Sequence, residues 1–366
     1  MNKNKHKLVL LAGITCLALA LLTAAGCTGD PAGEPDGARE TVTFTDSAGR
    51  EVEIPAEISR VVPSGTMAQI VLFALAPDKL AGLSERWSPA AGEYLDEKYR
   101  ELPVLGQFYG GKGNHNLEEI ARVDPQLIID VGEPKPSIAE DMDGISEKVD
   151  IPAVHISATM ETMGDAYRTL GELLGMADEG AVLADYCDEV YRRTREISEE
   201  VGAEGKKRLL YCSGDNGLNV ITAGSFHAEI VDLVGDNVAV VEEAAGKGTD
   251  NPVDLEQIAL WDPEVIIFAP GSIYSTVAGE KSWRELTAVK EGRYYEVPAG
   301  PYNWMGFPPS VNRFMGMIWL SELLYPDLAG YDGYKEAARY YKLFYHCELA
   351  EGQYRELVAR SLLKDQ

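Results

Sequence analysis

Basic residues are scarce in this sequence. Its 366 residues include 33 Lys and Arg against 59 Asp and Glu, which gives a formal net charge of −26 at pH 7. A chain of this charge is repelled at long range by phosphate backbones and by anionic lipid surfaces. Nucleic acid is therefore excluded as an expected partner.

Long hydrophobic runs are also nearly absent. Only residues 8 to 22 form an apolar run that approaches the length of a membrane span, although 45% of all residues are hydrophobic. This composition excludes a multi-span membrane protein, a disordered chain and a collagen-like repeat. A chain of this length is expected to form about two domains with substantial cores.

Cysteine is too rare for a disulfide framework. Two of the five cysteines, Cys16 and Cys27, lie close to the N-terminus, and Cys187, Cys212 and Cys347 show no short paired spacing. Neither a zinc knuckle nor a disulfide-rich fold is therefore expected. One bridge that leaves one free thiol stays open as an alternative.

Catalytic motifs are missing as well. The sequence has no HExxH zinc motif and no GxSxG elbow, and its five histidines show no metal-ligand spacing. Residues 106 to 113 (GQFYGGKG) come within one residue of a phosphate-binding P-loop, but Gly113 replaces the Ser or Thr that would hold magnesium. We therefore expect no enzyme and no intrinsic cofactor, with an exported enzyme as the less favoured alternative.

The N-terminus has the features of an export signal. Lys3, Lys5 and Lys7 precede the apolar run, and small residues from Ala24 to Gly26 then lead to Cys27. This end resembles the lipobox of bacterial lipoproteins, although Ala24 stands where that family more often has Leu. The resemblance implies that residues 1–26 are removed and that Cys27 is diacylated. A plain secretory signal with an incidental Cys27 thiol is the alternative.

A short segment follows the signal and differs from it in composition. Residues 27–40 are rich in Gly, Pro and acidic residues. This composition is typical of a flexible tether, which would separate a lipid anchor from the folded protein.

One sequence element occurs twice. Residues 116 to 130 (NLEEIARVDPQLIID) recur as residues 254 to 268 (DLEQIALWDPEVIIF), 138 residues later. In each copy an N-cap residue, Asn116 or Asp254, is followed at the third helical position by Glu or Gln, which predicts a capping box. An Asp-Pro pair then ends the helix, and an apolar run predicts a buried strand.

The helix face of this repeat is also predicted. In the first copy Leu117, Ile120 and Ala121 are spaced to share one buried face, as are Leu255, Ile258 and Ala259 in the second. The spacing between the copies is too long for a solenoid and is typical of two similar lobes.

Helices and strands alternate throughout the remaining chain. Strands are predicted at 60–62, 80–83, 152–157, 208–212 and 293–297, with a helix at 67–75 and one long helix over 178–201. The alternation predicts an α/β fold of two similar lobes, each a mostly parallel sheet flanked by helices. The expected domains are an N-terminal lobe at 41–177, a connecting helix at 178–204, a C-terminal lobe at 205–330 and a helical tail at 331–366.

These features together resemble a known family. The lipobox, the repeated LExIAxxDPxxII element, the long helix and residues 301 to 326 (PYNWMGFPPSVNRFMGMIWLSELLYP) are similar to periplasmic-binding proteins of iron-siderophore, haem and vitamin B12 importers. The resemblance implies the class III periplasmic-binding-protein fold. It also implies an extracytoplasmic, monomeric protein that captures a metal complex between its lobes and delivers it to an ATP-driven permease. The tail at 335 to 345 resembles molybdate and tungstate binders, so an oxyanion is the alternative cargo.

The resemblance also implies docking residues. In that family a surface glutamate on each lobe pairs with arginines of the permease, and the matching positions here are Glu118 and Glu256. Both fall at the second position of a predicted helix, where the helix dipole favours an outward-facing carboxylate. The alternative interpretation is that both glutamates only occupy helix N-termini, as acidic residues often do, and have no docking role.

Ligand residues are expected in the loops that follow the strands. Ser64 and Thr66 follow the first strand and precede a helix, where an anion would find hydroxyls and backbone amides. His227 is a possible ligand for haem iron or cobalt, and Tyr109, Tyr274 or Tyr302 for ferric iron as phenolates. The remaining expected cleft residues are aromatic or charged: Trp87, Phe226, Trp304 and Arg313.

The lipid anchor is directly testable. We expect the substitution Cys27→Ala to move the protein from the membrane fraction to the soluble fraction, because the anchoring energy of about 0.8 kcal/mol per buried methylene is lost. Cell fractionation followed by immunoblotting measures this. Equal retention of the variant and the wild type on membranes would contradict lipidation.

Overall fold

In the described residues, one β-sheet precedes a long helix along the chain, a second β-sheet follows it, and a two-stranded hairpin comes before both. The structure is a computed structural model that describes residues 40–108, 114–242, 244, 248–249 and 251–362. The export signal, Cys27, most of the tether and Tyr109 lie outside the described residues. Among those that are described, no helix is both long and apolar enough to cross a membrane.

The first sheet has three parallel strands in the order β3-β4-β5. An antiparallel hairpin of β1 and β2 precedes it. Buried apolar residues fill β4, as expected for a strand that is covered by helices on both faces. The strands are β1 (Thr41–Thr45), β2 (Glu51–Pro55), β3 (Val61–Pro63), β4 (Leu127–Gly132) and β5 (Ala153–Ser157).

The second sheet is mixed. Its order is β11-β10-β6-β7-β9, and β8 also pairs with β6. Strands β11, β10, β6 and β8 are parallel, whereas β7 is antiparallel to both of its neighbours. The strands are β6 (Arg208–Ser213), β7 (Asn219–Val220), β8 (Asp236–Asn237), β9 (Asn251–Pro252), β10 (Val265–Phe268) and β11 (Tyr294–Glu296).

Helices connect these strands and form the C-terminal region. The first six are α1 (Thr66–Leu75), α2 (Glu97–Arg100), α3 (Leu117–Val123), α4 (Ile138–Val149), α5 (Met163–Leu173) and α6 (Ala177–Gly205). The others are α7 (Glu229–Val234), α8 (Leu255–Trp261), α9 (Thr287–Lys290), α10 (Asn312–Leu324), α11 (Pro326–Ala329), α12 (Gly333–Phe344) and α13 (Glu351–Val358).

The predicted secondary structure is largely confirmed, with one exception. The segment 80–83 is not a strand, because it makes only two isolated bridges, Val61 to Leu80 and Leu83 to Val104. The long helix is confirmed as α6, and Gly202, with φ of 66°, interrupts its helical backbone near the end. Mixed α/β architecture with parallel strands is therefore established, and residues 40–366 group as one compact unit. The boundaries of the two lobes stay a prediction.

The repeated element has the same local structure in both copies. Helices α3 and α8 each span seven residues, and the side chains of Asn116 and Asp254 accept hydrogen bonds at their N-termini. Asp124 and Asp262 end the helices with φ of 44° and 42°, a left-handed conformation that aspartate tolerates better than most residues. The duplication is therefore visible in the backbone.

Two details predicted for this repeat are wrong. The capping box of α3 is incomplete, because Glu119 pairs with Arg122 and the Asn116 N–H donates to the Leu105 carbonyl. The buried face is also narrower than predicted, because Ile120 and its counterpart are buried while the other four residues are not. Each of these short helices therefore has one fully buried side chain, and partly buried residues such as Val123 and Leu255 pack beside it.

The three cysteines within the described residues form no bridge. Cys187, Cys212 and Cys347 are all free thiols, and the first two are buried. Burial raises the pKa of all three, to about 11 for Cys347, because the thiolate is disfavoured away from water.

Helix α5 packs closely against α6 through two glycines. A Cβ atom at Gly180 would lie 2.7 Å from the Tyr167 carbonyl oxygen and 2.9 Å from the Gly171 Cα. Side chains at this crossing would therefore force the two helices apart.

We expect Gly180→Ala to lower the free energy of unfolding by about 1 to 3 kcal/mol because of this overlap. The matched control is Gly144→Ala in α4, where a Cβ would meet no atom within 4 Å. That change is expected to raise the free energy of unfolding by about 0.5 to 1 kcal/mol, because alanine favours the helix. Urea denaturation followed by circular dichroism measures both, and equal effects would contradict the close crossing.

Candidate ligand cleft and docking helices

A buried arginine lies where loops of the two sheets meet. Arg313, near the start of α10, is 0% exposed. Its Nη1 donates to the Phe226 carbonyl at 2.9 Å and lies 3.0 Å from Glu229 Oε2. Burial lowers the pKa of Arg313 to about 10, although Glu229 and Glu133 oppose this shift. The side chain is therefore a cation at neutral pH in a place that disfavours charge.

Two donors of this guanidinium have no acceptor. Arg313 Nε and Nη2 are buried and lack a hydrogen-bond partner in the described part of the chain. The guanidinium carbon lies 4.6 Å from the centre of the Phe226 ring, which provides a cation–π contact. An unsatisfied buried donor costs about 1 to 3 kcal/mol, so a ligand oxygen at this point would be strongly favoured.

The loop before α10 sets the position of Arg313. Gly306 has φ of 110°, and a Cβ there would lie 3.0 Å from Arg313 Cδ. The side chain of Asn312 binds this loop by donating to the carbonyls of Pro308, at 3.1 Å, and Asn303. The glycine is thus required both by its backbone conformation and by its contact with the arginine.

Contacts between the two sheet regions, which are the elements before α6 and the elements after it, lie around this position. Glu229 Oε1 accepts from the Met160 backbone N–H at 2.9 Å, so the same carboxylate contacts Arg313 and a loop that follows β5. Ser310 Oγ donates to the Met67 carbonyl at 3.3 Å, which brings the start of α10 against the start of α1. Residues of both sheet regions therefore meet beside the arginine.

Aromatic side chains extend the site on the side of the second sheet. Phe226 and His227 lie on one short 3-10 helix, and the His227 ring stacks on Phe307 with centroids 5.6 Å apart. Phe307 in turn contacts Tyr211 edge-on at 6.2 Å. Of the residues predicted from sequence, Phe226, His227 and Arg313 are thus brought together.

Trp87 and Tyr302 form a second contact between the sheet regions. Their ring centroids lie 6.2 Å apart, and Ser88 Oγ donates to the Pro301 carbonyl at 2.5 Å. Burial, assisted by Glu85, raises the pKa of the Tyr302 phenol well above its usual range. This environment works against a phenolate ligand at Tyr302.

The hydroxyl groups of Ser64 and Thr66 form hydrogen bonds with other side chains. Ser64 Oγ donates to Asp130 Oδ1 at 2.5 Å, and Asp130 Oδ2 lies 2.7 Å from His155 Nδ1. Thr66 Oγ1 donates to Glu85 Oε2 at 3.1 Å. Sequence reasoning missed the pair of Asp130 and His155. Its signal was present, since each is a polar residue inside an otherwise buried apolar strand.

Two predicted residues do not join this site. Tyr274 packs on Tyr294 at 5.6 Å, beside the edge strand β11. Trp304 is 1% exposed and lines an internal cavity together with Trp319 and Tyr354 of the C-terminal region. The described residues also contain no group of three or more His, Cys, Asp or Glu side chains that could hold a metal ion.

Glu118 and Glu256 lie at matching positions of the two repeated helices. Both are exposed residues in the first turns of α3 and α8. Within α3, Glu119 forms an ion pair with Arg122 at 2.6 Å, and no ion pair of Glu118 is found among the described residues. Glu118 and Glu256 are therefore exposed carboxylates at the positive ends of their helices.

Comparisons with known proteins agree with this architecture. The periplasmic binding protein family model matches residues 63–301. An uncharacterized ABC transporter substrate-binding lipoprotein of Bacillus subtilis, YvrC, is 23% identical over 337 residues, which cover 86% of this chain and 98% of the relative.

Solved structures show the same fold. An ABC transporter solute-binding protein from Sulfurospirillum deleyianum is 27% identical with a TM-score of 0.79, covering 87% of this chain and 99% of its own. The molybdate-binding protein MolA of Haemophilus influenzae is 19% identical with a TM-score of 0.67, covering 84% and 99%. With a family model that matches most of its folded part, this chain belongs to the periplasmic binding protein family.

Proposed function

We propose that this protein is the extracytoplasmic substrate-binding component of an ABC importer. In this role it captures an acidic metal complex between the two sheet regions and presents it to the permease. Family membership and the ABC-transporter relatives support the role. The buried guanidinium of Arg313, with two donors that lack acceptors, is the single observation that supports the acidic cargo.

The energetics of Arg313 favour an anionic ligand. A buried cation is costly unless it is paired and hydrogen-bonded, and Glu229 lies beside only one edge of the guanidinium. An incoming carboxylate or catecholate oxygen would supply charge-assisted hydrogen bonds, which are the strongest kind. The negative charge of the whole chain matters less here, because local donors determine binding inside a cleft.

The aromatic surroundings favour a large, flat or ring-bearing cargo. Phe226, His227 and Phe307 lie beside the guanidinium and offer ring faces for stacking. Haem and ferric siderophores combine acidic groups with flat or aromatic parts, so they fit this combination best. A corrinoid belongs to the same predicted class, but it offers fewer acidic oxygens to Arg313.

Molybdate or a similar oxyanion is the second candidate. The two free donors of Arg313 suit a small tetrahedral anion as well as a carboxylate. The fold of the molybdate-binding protein MolA is compatible with this cargo. The aromatic rings beside Arg313 would then have no role in recognition, which is why we favour the metal complex.

The remaining parts of the proposal concern location and partner. An acylated Cys27 would hold the protein at a membrane surface, and Glu118 and Glu256 would contact cationic groups of the permease. Such an arrangement keeps the cargo site beside the importer, whose ATPase subunits lie on the cytoplasmic side.

The cargo site is tested by Arg313→Gln. We expect this change to weaken cargo binding by at least about tenfold, because charge-assisted hydrogen bonds contribute about 1.5 to 3 kcal/mol each. Tryptophan fluorescence titrations with haemin, a ferric catecholate siderophore, cobalamin and molybdate identify the cargo class. The control is Arg339→Gln, which removes a surface arginine paired with Glu189 and is expected to change no affinity. Unaltered binding of every probe by the Arg313 variant would contradict the assignment.

The docking role is tested by Glu118→Ala combined with Glu256→Ala. We expect the double variant to bind cargo normally and to bind the permease at least about tenfold more weakly, because two ion pairs are lost. Binding to the cognate permease in lipid nanodiscs, measured by surface plasmon resonance at low and high salt, checks this. The control is Glu280→Ala together with Glu348→Ala, which removes two carboxylates away from both helices. Equal permease binding by the wild type and the docking variant would refute the role.

A further inference from the structure

We propose that one docking helix, α8, carries a hydrophobic contact for the permease that its counterpart α3 lacks. The contact is the α8 patch, formed by Val240, Pro252, Leu260 and Trp261. This inference rests on the proposed function, because it extends the surface around Glu256. It makes the two docking points chemically different.

Two apolar side chains of the α8 patch have unusually large exposed fractions. Leu260 is 79% exposed and Val240 is 72% exposed, the highest values for large hydrophobic residues in the described chain. Scattered exposed residues need no explanation, but Val240 lines a groove together with Pro252 and Trp261, and Leu260 is the chain neighbour of Trp261 in α8. Apolar side chains grouped in this way indicate an interaction surface. Exposure of these apolar side chains to water is unfavourable, and a bound partner would remove this exposure.

The patch is continuous with Glu256. Leu260 is four residues after Glu256 in α8, so the two side chains lie one above the other on the same helix face. On the adjacent face, Gln257 and Trp261 line an open groove of about 590 Å³. Val240, Pro252 and Val253 are on the same groove lining, so the apolar surface extends from the helix to the neighbouring loop.

The same positions of α3 have a different chemistry. Arg122 occupies the position that corresponds to Leu260, and Val123 corresponds to Trp261. Arg122 forms an ion pair with Glu119 at 2.6 Å, so this face of α3 is polar. Both helices thus carry the carboxylate, Glu118 or Glu256, whereas in the described part of the chain an exposed leucine at the position of Leu260 occurs on α8 alone.

Charge around the patch selects the kind of partner. Glu242, Asp254 and Glu256 border it, while Arg208 lies at the end of α8, where it donates to the Trp261 carbonyl. A second copy of this chain or an anionic membrane would bring like charges together at this rim. The fitting partner is a protein surface with apolar side chains framed by cations, which we assign to the permease.

The test compares Leu260→Glu with Leu117→Glu, the same substitution at an exposed leucine of α3 that does not correspond to Leu260. Both add one carboxylate at an exposed leucine, and Leu117 is 50% exposed. We expect Leu260→Glu to weaken binding to the permease in nanodiscs by about tenfold or more, and Leu117→Glu to change it by less than about twofold. Leu260→Ala should weaken binding to a smaller extent, which separates lost apolar contact from added charge.

Several results would overturn this inference. Equal effects of the two Glu substitutions would show that the patch is not specific, and unchanged binding by Leu260→Glu and Leu260→Ala would remove its role. A wild-type dimer in light scattering that dissociates in Leu260→Glu would assign the patch to self-association. Wild-type binding to phosphatidylglycerol vesicles that is lost in this variant would assign it to the membrane.

Failure of the proposed function would give a different set of binding results. In that case the double variant at Glu118 and Glu256 would itself bind the permease as the wild type does. Weak binding by that double variant, combined with normal binding by both Leu260 variants, would contradict the patch alone. Thermal unfolding should be nearly unchanged in every variant, because the substituted side chains are exposed.

Discussion

The structure depends on the position of one buried positive charge. Arg313 is enclosed by a loop before α10, by Glu229 and by the Phe226 ring, and part of its hydrogen-bonding capacity is unused. A protein interior accepts such a group only where packing holds it firmly, since an incompletely paired ion destabilises the fold. The packing that holds Arg313 in place therefore lies at the position where we propose that the cargo binds.

Most of the fold can be predicted from the sequence, whereas only part of the site can. The repeat, the long helix and the central strands depend on local signals: N-cap residues, Asp-Pro pairs and apolar periodicity. The segment 80–83 has the same local signal, but it makes only isolated bridges to other segments. Without a strand partner it does not form a strand. For the site, the structure brings together three of the predicted ligand residues, Arg313, Phe226 and His227, and their role in ligand binding stays a prediction. Trp304 instead packs into the core with the C-terminal helices, a long-range contact that no local pattern encodes.

The two repeated helices show which residues of a duplication are constrained. Asn116 and Asp254, Ile120 and Ile258, and Asp124 and Asp262 keep the cap, the single buried contact and the left-handed end. These positions determine the backbone, so their chemistry is similar in both copies. The exposed faces are free of that requirement, and the two helices differ there. Two helices with similar backbones and different surfaces can therefore make unequal contacts.

The hidden thiols have a consequence for how an exported chain of this kind matures. Cys187 and Cys212 are shielded from solvent once the core is formed, and neither has a bonding partner in the fold. During translocation, however, the unfolded polypeptide would display both sulfurs to any oxidant outside the cytoplasm. Correct maturation then requires the core to form before these thiols are oxidised, because wrong cross-links form while the chain is unfolded. The rate of folding therefore determines whether the two cysteines stay reduced.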